Sequence, residues 1–291
     1  MHTIYLDQNL LHYFSFGFPK SYDLRKEHSA LVYVGRNPAK VRLVFSDWHL
    51  VETVSRRTWS QIQIALRVLG TMNPLWILPH NVIKQRELAA FIWADLEPLP
   101  AKQSVFVHRF EELPGGAPGF TVARFVRHLA QTPAARNRFS REAISGTLAL
   151  ASVQGHSQRQ GKLRAMDTLI NKGWLRGYLP RYTPAGVLLG EGELDRRLGN
   201  VMERWTDLLR ECPALAAEHY LSEIRKDAGK RKLKSSDLLD LHHAAPAVSY
   251  CDAFVTADGF SRECAEQYVK RAAAPIHVSF SLAAAVTALG I

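Results

Sequence analysis

The sequence has few cysteines, a deficit of acidic residues and no long hydrophobic run. Its three cysteines, Cys212, Cys251 and Cys264, are widely spaced, and there is no CxxC pair. This argues against a disulfide framework and gives no support for a zinc site. No apolar stretch is long enough to cross a bilayer, and no basic segment precedes a long apolar run near residue 1. We therefore expect no membrane span, no secretory signal and a cytoplasmic location.

Basic residues outnumber acidic ones, with 37 Lys and Arg against 27 Asp and Glu and a formal net charge of +10. Such an excess favours polyanionic partners such as RNA, DNA or an anionic surface. The alternative is a soluble protein that is merely basic. With 47% hydrophobic residues in a chain of 291, the composition is that of one large globular domain or of a domain with an insertion.

Short apolar segments alternate with helical patterns at both ends of the chain. Five segments read as β-strands: residues 4–6, 41–46, 76–79, 253–256 and 275–280. Strands that alternate with helices predict an α/β fold with a parallel sheet. In the middle of the chain, apolar residues recur at helical spacing instead. We therefore predict a core made of residues 1–82 and 235–291, with residues 83–234 as a largely α-helical insertion.

Two of the predicted strands end on an aspartate. Asp7 directly follows the first strand, and Asp258 follows Phe254-Val255-Thr256. Glu52 lies in the helix after the second strand, and Asp240 lies in the helix before the strand that contains Val255. Ligands of open parallel sheets bind beyond the carboxyl ends of the strands, where these four carboxylates would converge. Because clustered carboxylates repel one another, a hard divalent cation such as Mg²⁺ or Mn²⁺ is the expected counter-charge.

Four short motifs, LDQN, FSxxHLxE, DLLDLHH and CDAFVTAD, resemble those of the PIN-domain nucleases. This family includes the toxin ribonucleases of bacterial toxin–antitoxin pairs. The resemblance covers roughly residues 1–60 and 234–285, and it implies a PIN-like, three-layer core with a parallel sheet. The catalytic and metal-binding residues that it implies are Asp7, Glu52, Asp240 and Asp258. The family's typical chain is about half as long as this one, so the helical insertion has no counterpart in the resemblance.

The resemblance also implies roles for polar residues near these carboxylates. Asn9 would orient Asp7 or contact a metal-bound water, and Thr256 would donate a hydrogen bond near the metal or contact phosphate. Each of the last two motifs contains a second acidic residue. Asp237 reads as a helix cap or as a fifth acidic group, and Asp252 reads as a further residue that lines the site.

A basic segment, from residue 225 to residue 234, directly precedes the third acidic motif. An acidic site repels nucleic acid, so a basic rim beside it would assist binding; a solvated loop is the alternative. The predicted nucleic-acid-binding residues are Arg56, Arg57, Lys226, Lys230, Arg231, Lys232 and Lys234. His242 and His243 are adjacent and point to different sides of a helix, so we expect at least one of them to be structural.

The sequence therefore predicts a metal-dependent endoribonuclease that hydrolyses phosphodiester bonds, with RNA as its partner and DNA less favoured. A DNA-directed or flap-type nuclease is one alternative. A non-catalytic nucleic-acid or protein interaction module, with a purely structural acidic cluster, is another. The resemblance is compatible with a toxin or defence role, with an antitoxin or other protein inhibitor, and with a homodimer.

Overall fold

A computed structural model describes residues 1–56, 58–94, 105–114, 121–132, 173, 175–227 and 235–291, with the backbone alone for residues 56, 226, 227 and 235–242. Its described strands are β1 (His2–Leu6), β2 (Val41–Phe45), β3 (Leu75–Ile77), β4 (Phe106–Val107), β5 (Ala253–Val255) and β6 (His277–Ser279). They form one sheet in the order β4-β3-β2-β1-β5-β6. All neighbouring strands are parallel except β3 and β4, which are antiparallel.

The predicted α/β fold is confirmed, and all five predicted strands are present. In β1 the residues Ile4, Tyr5 and Leu6 are all fully buried. Such continuous burial is typical of a central parallel strand that is covered on both faces. The prediction of a parallel sheet needs one correction, because β4 joins the edge of the sheet in the antiparallel direction. This two-residue strand lies within the segment that we predicted to be largely helical.

The helices fall into two layers. Those described are α1 (Gln8–Phe16), α2 (Leu24–Arg36), α3 (Asp47–Arg56), α4 (Trp59–Met72), α5 (His80–Ile92), α6 (Val122–Gln131), α7 (Glu191–Glu203), α8 (Trp205–Glu211), α9 (Pro213–Asp227), α10 (Ser235–Tyr250), α11 (Gly259–Ala272) and α12 (Leu282–Ala288). Helix α2 contacts α4 and α12, whereas α9 contacts α5, α10 and α11. None of the helices in the described residues is long and apolar enough to cross a membrane.

The connections explain the two layers. From β1 the chain proceeds to β2 and β3 on one side, and it later places β5 and β6 on the other side of β1. Because crossovers between parallel strands are right-handed, the two directions of travel put their helices on opposite faces of the sheet. The order of the strands reverses between β1 and β5. This reversal is a topological switch point, where open α/β sheets have their binding crevice.

The helices in the middle of the chain share the core of the sheet. Ile83 of α5, Val126 of α6 and Leu221 of α9 belong to the same buried cluster as the strands. A smaller cluster joins α5 to α7 and α8 through residues such as Leu88 and Leu198. The boundary predicted after residue 82 falls inside α5, which begins at His80. The middle helices are therefore continuous with the core that carries the candidate site.

Candidate active site at the carboxyl edge of the sheet

Asp7 and Thr256 meet at the switch point, where β1 and β5 end; we call this side of the sheet the carboxyl edge. Thr256 Oγ1 donates a hydrogen bond to Asp7 Oδ2 over 2.8 Å. Asn9 Nδ2 donates to the same oxygen over 3.2 Å, and the backbone N–H of Gln8 donates to Oδ1 over 2.7 Å. Asn9, which was predicted to orient Asp7, is thus in contact with it, and the Asp7 carboxylate accepts hydrogen bonds from three donors.

Asp258 lies on the same edge, two residues beyond Thr256. Its backbone N–H donates to Thr256 Oγ1 over 3.1 Å, so Thr256 connects the two aspartates. Its Oδ1 accepts from the backbone N–H of Ser261 over 2.6 Å and caps α11. Asp7 is the N-cap of α1, and its Oδ1 accepts from the backbone N–H of the next residue, Gln8. Both aspartates are therefore helix N-caps as well as candidate ligands, and each cap occupies one carboxylate oxygen.

Glu52 approaches this edge from α3 and is buried, with 6% of its surface exposed. Its Oε1 lies 3.4 Å from His243 Nε2 of α10, which makes the contact electrostatic rather than a well-formed hydrogen bond. The charge of Glu52 raises the pKa of Asp7, and the charge of His243 lowers it. The structure therefore brings Asp7 and Glu52 within electrostatic reach of each other, with His243 beside both.

A buried chain of hydrogen bonds anchors His243. Its Nδ1 lies 2.6 Å from the Tyr5 hydroxyl, which in turn lies 3.0 Å from Ser46 Oγ. His49 Nδ1 accepts from the backbone N–H of Ser46 over 3.1 Å. Its Nε2 lies 2.6 Å from the Leu6 carbonyl, which can only accept, so Nε2 carries the proton. Burial lowers the pKa of His49 to about 3, so this ring is neutral and structural.

Desolvation dominates the electrostatics of the edge. Burial is the largest cause that raises the pKa of Asp7, and hydrogen bonds from Thr256 and Gln8 offset only part of it. Burial also raises the pKa of Asp47, the first residue of α3, to about 6, while the charge of His243 opposes the change. Desolvated carboxylates whose ionised forms are disfavoured are groups that a bound cation would stabilise.

Asp240 and Asp237 lie in the first half of α10, and their side chains are outside the described set. The backbone still fixes where position 240 lies. Helix α10 ends at Tyr250, and residues 251 and 252 lead directly into the amino end of β5. The first half of α10 therefore points toward the carboxyl edge. Asp240 precedes the buried His243 by three residues, which places both positions on one face of the helix, with Asp240 one turn closer to the edge.

Asp252 does not lie at this edge, which corrects the expectation that it lines the site. It precedes β5 and therefore lies at the opposite, amino end of the sheet. Its Oδ2 accepts from the backbone N–H of Thr3 over 2.7 Å and from Thr3 Oγ1 over 2.9 Å. The carboxylate fastens β5 to β1, so its role is structural.

Among the basic residues near the third motif, Arg225 has a described side chain. It is buried, with 6% of its surface exposed, and it lies in the last turn of α9. The predicted nucleic-acid-binding residues have no described side chain, so their role stays a prediction: Arg56, Arg57, Lys226, Lys230, Arg231, Lys232 and Lys234.

An exposed aromatic ring lies at the carboxyl edge, at the end of β6. Phe280 directly follows β6, whose Ser279 carbonyl accepts from the backbone N–H of Thr256 over 3.0 Å. The Phe280 side chain is 49% exposed. Its ring centroid lies 6.1 Å from that of Tyr22, whose hydroxyl donates to the Phe280 carbonyl over 3.0 Å. The carboxyl edge thus carries an exposed aromatic ring at the end of β6, one strand away from Thr256.

The donors at this edge fit a hard divalent cation in chemical type, because they are carboxylate oxygens. They do not form a complete ligand set by themselves. Among the side chains that the structure describes, no three or more His, Cys, Asp or Glu lie close enough together to hold a metal ion. A complete set therefore depends on a further donor, for which Asp240 is the predicted residue.

Sequence reasoning missed several residues of this edge. It treated at least one of His242 and His243 as structural but could not identify His243 as the neighbour of Glu52. Nothing local marks Tyr5 as the partner of His243, since the two are 238 residues apart. Phe280 is the last residue of the last predicted strand. Its position at the carboxyl end of that strand could have marked it as a residue near the site. No family model matches this chain, and no curated protein or solved structure matches it either.

Proposed function

We propose that this chain is a metal-dependent nuclease that hydrolyses phosphodiester bonds at the carboxyl edge between β1 and β5. The observation that carries the proposal is the 2.8 Å hydrogen bond from Thr256 to Asp7. It joins two acidic motifs, 249 residues apart in sequence, at the switch point of the sheet, where a ligand is expected. Glu52 lies close enough to act on the pKa of the same carboxylate.

Asp7, Glu52, Asp240 and Asp258 would hold Mg²⁺ or Mn²⁺. An ion bound there would neutralise charge on the phosphate and lower the pKa of a water molecule to make it a nucleophile. The protein's own residues prepare this position. Burial raises the pKa of Asp7, and the hydrogen bond from Thr256 opposes this rise and fixes the orientation of the carboxylate. His243 Nε2 lies 3.4 Å from Glu52 Oε1.

RNA is the substrate that we propose, in single-stranded or loop form. The net charge of +10 favours a polyanion, and the exposed ring of Phe280 offers a surface on which an unpaired base can stack. These features would serve single-stranded DNA as well. The preference for RNA rests on the resemblance of the acidic motifs to those of toxin-type ribonucleases. Cleavage of matched RNA and DNA strands separates the two substrates.

A specific observation favours a second candidate, a non-catalytic module with a structural acidic cluster. Asp7 and Asp258 both cap helices through well-formed hydrogen bonds, which is sufficient reason for an aspartate at each position. Under this alternative, the site binds no divalent ion, and the chain binds nucleic acid or protein without cleaving it.

The substitutions Asp7→Asn and Asp258→Asn distinguish the two candidates. Asparagine caps a helix about as well as aspartate does, so both variants should fold. They remove the charge that a metal ion requires. We expect wild-type protein to cleave a labelled RNA mixture with Mn²⁺ or Mg²⁺ but not with EDTA, and we expect both variants to lose this activity. Calorimetric titration with Mn²⁺ should show the same loss of binding.

Asp252→Asn is the matched control, because it removes a carboxylate from the opposite end of β5. It should leave cleavage intact if the fold is retained by circular dichroism. Cleavage that survives in Asp7→Asn and Asp258→Asn would refute the proposed site. Absence of both cleavage and Mn²⁺ binding in the wild-type protein, at millimolar concentration, would favour the non-catalytic module.

A further inference from the structure

We propose that Arg225 is an anion-binding residue of the carboxyl edge and that its ligand is a phosphate group of the substrate. This inference rests on the proposed nuclease function for the identity of the ligand. The position, burial and bonding of Arg225 support it independently of the carboxylates.

Two of the three guanidinium nitrogens of Arg225, Nε and Nη1, are buried without a hydrogen-bond partner among the described residues. Only 6% of the residue is exposed. A guanidinium presents five N–H donors, and a buried charge without a partner is strongly unfavourable. The C-terminal turn of α9 attracts a cation through its helix dipole, but it does not satisfy these donors. Arg225 therefore has an unused capacity to bind an anion.

The surroundings place this capacity beside the candidate site. The guanidinium carbon lies 5.7 Å from the centroid of the Phe260 ring. Phe260 is the second residue of α11, and Asp258 is the cap of that helix. Arg225 thus faces the N-terminal turn of a 14-residue helix, which is itself attractive to anions because of its orphan N–H groups and dipole.

A phosphate fits both features. The planar fork of an arginine side chain can donate two parallel hydrogen bonds to adjacent phosphate oxygens, and the helix N-terminus adds a further attraction. The carboxylate of Asp258 lies on the same turn, so the phosphate would sit between a cationic and an acidic side. A phosphodiester cleaved at the acidic side would therefore be held from the Arg225 side.

Thermal unfolding with inorganic phosphate as the probe tests the inference. The variants are Arg225→Met, which keeps the length of the side chain without its charge, and Arg225→Lys, which keeps the charge without the fork. Arg210→Met is the matched control, since Arg210 is an exposed arginine of α8 that pairs with Asp207. Phosphate should raise the Tm of wild-type protein and of Arg210→Met relative to chloride at equal ionic strength.

Arg225→Met should show a smaller rise in Tm with phosphate than wild type and Arg210→Met, since all three share the general stabilisation by a kosmotropic anion. In chloride it should be at least as stable as wild type, because it no longer buries an unpaired charge. Arg225→Lys should fold and bind phosphate at least about tenfold more weakly. Two results would overturn the inference: an equal response to phosphate in Arg225→Met, or no response in the wild-type protein together with a large loss of stability in both Arg225 variants.

Binding of a labelled single-stranded RNA in EDTA separates this inference from the proposed function. Loss of one phosphate contact should reduce the slope of log K against log salt by about 0.7 in Arg225→Met, with little change in Arg225→Lys. If the wild-type protein responds more strongly to phosphate than Arg225→Met does but neither binds nor cleaves RNA, the anion site stands and the nuclease proposal fails. If the wild-type protein cleaves RNA and Arg225→Met shows the same salt slope as wild type, the nuclease proposal stands and the anion-site inference fails.

Discussion

Replacing Glu87 with glutamine should remove a loss of stability that the protein undergoes as the pH rises. Glu87 lies on α5 and is fully buried. Its carboxylate accepts from the backbone N–H groups of Ala214 over 2.8 Å and Leu215 over 3.0 Å, at the start of α9. It also accepts from the Tyr250 hydroxyl over 2.5 Å. One side chain thus joins α5, α9 and α10.

The expected magnitude follows from the protonation of Glu87. Burial raises its pKa from 4.5 to about 7, although Tyr250 and the two N–H groups act in the opposite direction. Between these two pKa values the folded state binds more protons than the unfolded state, so the free energy of unfolding falls as the pH rises. A pKa difference of about 2.5 corresponds to about 3 kcal/mol at 1.36 kcal/mol per pKa unit. Below about pH 4.5 this contribution is fully retained.

Urea unfolding followed by circular dichroism at about pH 4.5 and about pH 8 measures the effect. The difference in unfolding free energy between wild type and Glu87→Gln should change by about 3 kcal/mol between the two pH values, in favour of the variant at high pH. Glu203→Gln, at an exposed residue of α7, should track the wild type at both. A pH dependence that is the same in wild type and Glu87→Gln would refute the reasoning.

Three further predictions concern the carboxyl edge. Thr256→Val removes the donor that stabilises ionised Asp7 and should weaken Mn²⁺ binding about 10- to 100-fold by calorimetry, with unchanged circular dichroism. Phe280→Ala should weaken binding of single-stranded RNA by about 1–3 kcal/mol in fluorescence anisotropy and leave duplex binding unchanged. Tyr5→Phe removes the hydrogen bond between the Tyr5 hydroxyl and His243 Nδ1 and should lower the free energy of unfolding by about 1–3 kcal/mol in urea. Wild-type Mn²⁺ affinity in Thr256→Val would contradict the first prediction. An equal loss of single-stranded and duplex RNA binding in Phe280→Ala would contradict the second. Unaltered stability of Tyr5→Phe would contradict the third.

Much of the sheet could be predicted because its strands are short, apolar and bounded by polar residues. The run of Ile4, Tyr5 and Leu6 before Asp7 has no competing helical interpretation. Strand β4 escaped prediction because Phe106 and Val107 alone carry no periodicity, and only pairing with β3 makes them a strand. Prediction also failed for α2, although its Asp23 cap and its buried Ala30 and Val34 form an ordinary amphipathic pattern.

The site was predictable to the extent that the ends of strands define it. Asp252 and Asp258 flank the same short strand, so the predicted strand already places them at opposite ends of the sheet, but sequence could not show that Asp252 is bonded to Thr3. Arg225 begins a run of basic residues that sequence alone treats as one solvated segment. Burial of that single arginine depends on how α9 packs against α11, which is a tertiary property that no local charge pattern contains.

The central position of β1 has a consequence for how the protein is made. Its neighbour β5 follows about 250 residues later, and both the Thr3–Asp252 and the Thr256–Asp7 contacts join residues 249 positions apart. At a translation rate of 5–20 residues per second, β1 waits roughly 10–50 s on the ribosome with one edge unpaired. Such non-local pairing predicts slow folding. The candidate site is divided in the same way, because Asp7 cannot meet Thr256 until β5 has emerged.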